Sequence, residues 1–515
     1  MYISLETIRD RIKQPKPEVL AGFALWGLMF LVYLRTLVPG VYGFDSAELA
    51  TGVFTQGIIH PPGYPFYLLV GKLFSLIPIR DIAYRLNVMS AFFGALTVLL
   101  LFYIGILLTN QWGIAWLSAA IFGFSVYFWQ MSIVAEVYTL HTALLAGNLA
   151  IVLYWERTGK QHALLLFAFL YGLSLTNHTS SILFAPGFFW IIVRSKWWDW
   201  KQRGRQFILF MLFLLGLSTY LYLPLRAQSN PLLNYVSTYY NVDLSSWAGL
   251  IWMMSGQAYR FFSFSYTLQE LPLEIIRFGS FLFRNFMGVG VLIGLIGLIN
   301  GFRKNLTFFV GIFMSFLATV VFYINYRVMD KDTMFLAAYL FWAIFLVEGF
   351  QFIENWFLMR ISFNTSNKFR PIVVLLLFLI FLPTPLLNWK WVDMHDADSY
   401  SRYAHAILST TEPNAMVIAP WSQAVVLEYF QIVDGQRPDI KIVNSSRMNV
   451  AIYYELWSKG FKREEIFRGI AENNIALIDE YIGIRPVYSL EFDTTLSVQY
   501  EYLPDGIFFR LTSKN

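Results

Sequence analysis

"GFDSAELATGVFTQGIIHPPGYPFY", residues 43–67, follows directly on an apolar run from about Val19 to Val38. It sets Asp45, Glu48 and His60, then the adjacent Pro61 and Pro62, into a chain that otherwise avoids charge. Taken by itself, the stretch is a helix start. Asp45 and Glu48 have the spacing of a capping box, in which Asp45 accepts an orphan backbone N–H and Glu48 reaches back, opening a helix over residues 46–58. The "HPPGYP" block then stops it, because each proline lacks a donor and biases its predecessor away from helix.

The surroundings of that stretch are lipid-like. Of 515 residues 57% are hydrophobic, 19% aromatic and only 14% charged, against roughly 25% charged in a soluble domain. Mean hydropathy is +0.53, which makes this an integral membrane protein. The net charge of +5 is distributed in short basic clusters between apolar runs, the pattern of membrane orientation and not of nucleic-acid binding. With no cysteine, disulfides, thiolate metal sites and cysteine nucleophiles are excluded. Arg9, Arg11, Lys13 and Lys16 precede the first apolar run, which has the roughly 20 residues a spanning helix needs. No small-residue cleavage site follows, so a retained first helix is expected.

Further apolar runs centre near Ala95, Ile121, Ala146, Phe169, Phe188, Leu214, Gly290, Phe316, Phe345 and Leu377, which predicts about eleven spans. Apart from the short neutral loop from Thr109 to Trp112, every second loop is basic: Arg157 and Lys160; Arg194 to Arg205; Arg303 and Lys304; Arg360, Lys368 and Arg370. That alternation puts the N-terminus inside and residues 39–78 in the first outer loop. From Trp389 onward charge becomes frequent, and "NAMVIAP", "DIKIVN" and "GIFFRLT" read as strands between helical stretches. The expected division is therefore a membrane domain over 1–388 and a small outer α/β domain over 389–515.

The other outer loops are rich in polar groups. They hold Asn177 and His178, Arg226, Gln257, Tyr259 and Arg260, and Tyr326, Arg327, Asp330 and Lys331, which with His60 and Tyr64 could surround one cavity at the membrane face. For each cation alone, interfacial snorkelling is the plainer explanation. Glu136, His141 and Asn148 lie near or within a span and read as a structural hydrogen-bond network. A pair of histidines is too sparse for zinc. Group transfer on the outer face requires an activated donor that arrives through the membrane, and a polyprenyl-phosphate sugar is one. Its phosphate leaves with developing charge that an arginine can neutralise, while a carboxylate takes the acceptor's proton. Asp45 is the candidate base, with Glu48 one turn away as support or substitute.

"FDSAELATG", the intact "HPPGYP" block, "IAYRLNVMSAFFGA", "AEVYTLH", "LSLTNHTS", "YLPLRAQSNPLLNY" and "YRVMDKDTMFLAAYL" together resemble the membrane protein O-mannosyltransferase family of the plexin type, which includes bacterial relatives. That family usually opens Asp-Ser-Gly-Glu; here Ala47 stands where glycine is usual. The resemblance implies a mainly α, polytopic GT-C (C-type glycosyltransferase) bundle with its catalytic carboxylate in the first outer loop, at Asp45, and so favours chemistry over capping there. It also implies a polyprenyl-phosphate donor of mannose or a similar hexose, no nucleotide, inversion at the anomeric carbon, and Arg226 or Arg327 on the phosphate. The acceptor would be a protein hydroxyl or a glycolipid at the outer face of the inner membrane. No cofactor is firmly implied; Mg or Mn stays open, with Asp45, Glu48 and Asp330 as possible oxygen ligands. The competing classes are a flippase of lipid-linked sugars, using the same cavity without bond breaking, and, ranked last, a receptor or assembly factor anchored by its helices.

Overall fold

The computed structural model of the chain describes residues 16–361 and 366–514. Arg9, Arg11 and Lys13 of the basic N-terminal cluster lie outside the described residues, as does the side chain of Lys368. Six helices are long and apolar enough to cross a membrane: Pro17–Arg35, Ile82–Thr109, Arg203–Gln228, Leu306–Ile324, Leu336–Arg360 and Phe369–Val392. A seventh span results if Leu271–Phe286 and Val289–Lys304 are taken together, but these meet at 99°, so the run expected around Gly290 is sharply broken. The break falls at Met287 and Gly288, both in the left-handed region.

The other expected spans exist as helices that fall short of that criterion. Trp112–Gly123 and Thr179–Arg194 are apolar but short. Tyr138–Thr158 carries polar residues because it is enclosed by protein: Asn148 is buried and donates to Ser174 Oγ at 2.9 Å, and His141 is buried beside Ser180 and Ser181. A helix packed among helices need not be apolar all round. Leu336–Ile361 forms the centre of the bundle, with most of its length buried. Val289–Lys304 lies so close to it that a Cβ at Gly297 would fall 1.8 Å from the Phe345 carbonyl oxygen, a contact only glycine allows.

The tail forms a five-stranded sheet, β1 Met416–Ala419, β2 Lys441–Asn444, β3 Val487–Ser489, β4 Tyr500–Asp505 and β5 Phe508–Ser513, in the order β2-β1-β3-β5-β4. β1 runs parallel to β2 and β3, with Met416 opposite Lys441 and Val487; β5 is antiparallel to β3 and β4. Each of β1 and β2 feeds a helix from its carboxyl end, Trp421–Ile432 and Ser445–Ser458. Asn444 caps the second, its side chain accepting from the Arg447 N–H at 3.1 Å. In open α/β sheets the carboxyl ends of the strands are where functional groups gather; here the Trp421–Ile432 helix packs on the Asp45–Thr55 helix, and the Ser445–Ser458 helix reaches it through Arg447.

Candidate active site

The Asp45–Thr55 helix begins without a side-chain cap. This corrects the capping-box expectation: Asp45 is the first helical residue, and Glu48 turns away from the helix start toward His60. Its Oε1 accepts from the His60 backbone N–H at 2.8 Å and lies 2.8 Å from His60 Nδ1. The helix ends at Gln56, in the left-handed region, before "HPPGYP" is reached. That block instead starts the next helix, Pro65–Ser75, with Pro65 in its first turn and His60 Nε2 within 3.3 Å of the Tyr64 hydroxyl.

The backbone leading into Asp45 is held in an uncommon state. Phe44 has φ 60° and ψ −143°, a region that costs a non-glycine residue of order 1–3 kcal/mol. Packing from the tail over-determines it: Phe44 stacks edge-on against Trp421 at 5.4 Å and lies 6.3 Å from Tyr400. A Cβ on the preceding Gly43 would fall 2.5 Å from the Tyr400 ring. The outer segment and the α/β domain are thus fitted to each other at the residue before the carboxylate.

The tail also supplies a charge. Arg447 is buried; its Nη2 hydrogen-bonds Glu48 Oε2 and lies 3.2 Å from His60 Nδ1 and 3.7 Å from Asp45 Oδ1. Its Nη1 donates to the Tyr259 hydroxyl at 3.3 Å, and the guanidinium rests on the rings of Tyr235 at 5.0 Å and Trp421 at 5.6 Å. Burial lowers its pKa to about 10, with the Asp45 charge acting in the other direction. Tyr235 is in turn fixed by a hydrogen bond to Glu428, whose carboxyl burial raises to about 7.

Asp45 is the member of this group that faces open space. Its side chain is 24% exposed against 0% for Glu48, and Oδ1 has no hydrogen-bond partner among the described residues. It lines a cavity of about 1210 Å³ together with the polar side chains of His60, Tyr64, His178, Tyr259, Arg260, Tyr326, Arg327 and Asp330 and the apolar ones of Leu175, Ile182, Leu217 and Phe322. Burial lowers His178 to about 4, so it is neutral, and its Nδ1 accepts from the Ser180 N–H. Asp330 is raised to about 6, chiefly because the cavity walls remove water from it, with the Asp45 charge adding.

Several expected members lie elsewhere. Arg226 reaches the end of the Asp45–Thr55 helix, donating to the carbonyls of Gln56 at 2.5 Å and Thr55 at 3.1 Å, a cation on a helix C-terminus. Lys331 is buried on Glu274 at 2.5 Å. Asn177 is buried against the Val137 carbonyl, and Gln257 accepts from Tyr454 at 3.4 Å. Arg327 does line the cavity, but Glu270 binds its Nη2 with both oxygens, at 2.8 and 2.7 Å. Arg260 lines the cavity and makes no ion pair among the described residues.

Sequence reasoning missed two groups. One is Arg447. The other is Glu136, expected in a structural network but found lining the cavity with Oε2 buried and unpartnered. Loss of water raises the Glu136 carboxyl well above its usual range, and the charges of Asp45 and Asp330 add to this.

Asp45, Glu48 and His60 each offer one ligand atom within 4.8 Å of the others, a set suited to a divalent ion. Asp330 is not in that group. The ion does not fit beside Arg447. Glu48 already spends both oxygens on His60 and Arg447. A dication near the guanidinium would meet a repulsion of about 4 kcal/mol per unit charge at 4 Å in an effective dielectric of 20.

Residues 45–201 match the family model described as "Protein O-mannosyl-transferase TMEM260 N-terminal domain". Among solved structures the chain is similar to ArnT from Cupriavidus metallidurans bound to undecaprenyl phosphate, with a TM-score of 0.55, 10% identity, and coverage of 96% of this chain and 97% of that one. It is also similar to the Archaeoglobus fulgidus oligosaccharyltransferase in complex with Zn and sulfate, with a TM-score of 0.52, 12% identity, and coverage of 83% and 62%. The class is therefore a polytopic membrane protein that shares its fold with ArnT and the oligosaccharyltransferase, with residues 45–201 similar to the TMEM260 N-terminal domain. Its relatives include mouse Protein O-mannosyl-transferase TMEM260, 33% identical over 40% of this chain and 30% of the mouse protein. The Dictyostelium discoideum protein of the same name is 24% identical over 89% of this chain and 62% of its own length. The matched regions thus span less than two thirds of either relative.

Proposed function

We propose that this protein is an inverting glycosyltransferase that moves a hexose, mannose by analogy with its relatives, from a polyprenyl-phosphate donor to a hydroxyl on the outer face of the membrane. The acceptor is a protein serine or threonine. The observation that carries the reading is Asp45, a carboxylate with one oxygen free of hydrogen bonds that lines a cavity walled by both polar and apolar side chains. An isoprenoid matches the apolar ones, and ArnT, a protein of the same fold, has been seen with undecaprenyl phosphate bound.

In this reading the acceptor oxygen attacks the anomeric carbon from the face opposite the phosphate. Its proton passes to Asp45, the bond from the anomeric carbon to the phosphate oxygen breaks, and polyprenyl phosphate departs. Arg260, free of a carboxylate partner among the described residues, takes the phosphate role first assigned to Arg226 or Arg327. The N-terminus is cytoplasmic, and the α/β tail lies on the side where the acceptor arrives. Nothing in the arrangement favours a flippase, whose polar groups would have to line a route to both faces. Asp45 caps no helix and its Oδ1 accepts no hydrogen bond, so the isosteric Asp45→Asn should leave expression and detergent stability intact. Transfer from a synthetic polyprenyl-phosphate mannose should fall by roughly 10²-fold or more. Undiminished turnover in that variant removes Asp45 as base.

A further inference from the structure

The donor set Asp45, Glu48 and His60 has the chemistry and spacing of a divalent-cation site, yet the space among those three groups is taken. Arg447 Nη2 hydrogen-bonds Glu48, with His60 Nδ1 at 3.2 Å and Asp45 Oδ1 at 3.7 Å. The guanidinium is not a passing surface group. It is 8% exposed, lies against the rings of Tyr235 and Trp421, and is tied to Tyr259 through its other terminal nitrogen. The guanidinium hydrogen-bonds one carboxylate, stands within ion-pair distance of the second and keeps its charge at physiological pH, so it performs the electrostatic part of a metal's work without exchange.

We propose that Arg447 is the resident cation of this site: the α/β tail supplies a guanidinium where a divalent ion would otherwise bind Asp45, Glu48 and His60. The wild-type protein therefore needs no metal there, and removing the Arg447 side chain creates a metal site. The binding half of this inference is independent of the transferase reading; only its consequence for turnover rests on that reading.

The test uses the full-length protein in detergent, stripped with a chelator and titrated with Mn²⁺, which is followed by electron paramagnetic resonance and by the melting temperature. Wild type should bind no Mn²⁺ that depends on Glu48, and its melting temperature should not respond. Arg447→Ala should bind one equivalent and melt higher with Mn²⁺ than with chelator, and adding Glu48→Gln should abolish both effects. Arg447→Lys, which keeps a positive charge, should bind none. Turnover should resist chelator in wild type and require Mn²⁺ in Arg447→Ala. One equivalent of Glu48-dependent Mn²⁺ on wild type overturns the proposal whether or not Arg447→Ala folds, and so does a folded Arg447→Ala that binds no ion. If Mn²⁺ binds as expected but no polyprenyl-phosphate sugar is turned over by any variant, the cation assignment stands and the transferase reading falls.

Discussion

Glu48 and Glu274 are both buried glutamates held by cations, and they behave as opposites. Glu274 takes Lys331 at 2.5 Å and Arg277 at 2.8 Å, and Lys331 gives further hydrogen bonds to the Tyr266 hydroxyl and the Ile324 carbonyl. That cluster is closed. Around Glu48 the pairing with Arg447 and His60 is just as tight, but Asp45 stands beside it with its buried Oδ1 free of hydrogen bonds and the rest of its side chain partly exposed to the cavity. Buried polar groups are almost always satisfied, so one that is not marks a place where a ligand is expected. Charge alone does not separate the two clusters; spare hydrogen-bonding capacity does.

Breaking the first cluster should give the largest effect. Glu48→Leu leaves Arg447 buried without its hydrogen-bonded carboxylate and with only Asp45 Oδ1 at 3.7 Å, a change expected to cost about 3 kcal/mol of stability, and it should abolish transfer. A variant that melts like wild type would mean that water or another group already neutralises Arg447. The same kind of cut in the second cluster should be milder. Lys331→Met leaves Glu274 with Arg277, so about 1–3 kcal/mol should be lost while turnover per folded molecule is unchanged. Turnover lost without any loss of stability would move Lys331 into the site.

Two further experiments sharpen the contrast. Arg260→Ala should weaken donor binding roughly tenfold, the loss of about one charge-assisted hydrogen bond, whereas Arg226→Ala should leave donor affinity where it was. The reverse pattern would restore the original assignment of Arg226 to the phosphate. The smallest effect concerns Glu428, which fixes the ring under Arg447. Its carboxyl is raised from 4.5 to about 7 in the folded protein, so the folded state holds a proton that the unfolded state has released. Stability from this group is full below pH 4.5 and declines as pH rises toward 7. Melting temperatures across that range should slope downward, and Glu428→Gln should flatten the slope; an upward contribution would mean that Glu428 is ionised in the fold.

The bundle was legible because hydropathy reports lipid exposure directly, and the tail's strands because "NAMVIAP", "DIKIVN" and "GIFFRLT" alternate with helical patterns. It failed where helices are shielded by other helices, as in Tyr138–Thr158, and where a run is broken, as at Met287 and Gly288. Within the site, Asp45, His60, Tyr64 and Tyr259 were legible because they sit between apolar runs, in or close to informative blocks. Arg226 and Lys331 have the same address but point at carbonyls and at Glu274, a direction no spacing rule encodes. Arg447 was missed because its partner is distant in the chain. One signal was available, since "DIKIVNSSRMNV" is a strand ending in a capping Asn, and the first turn after such a strand is a common seat for functional side chains.

Arg447 and Glu48 are 399 residues apart in the chain. A nascent copy can insert its greasy segments and present its acidic loop long before that guanidinium has been translated. Until the segment that carries Trp421 and Arg447 docks on Phe44 and Glu48, that glutamate has only the backbone N–H and ring of His60 to hold it.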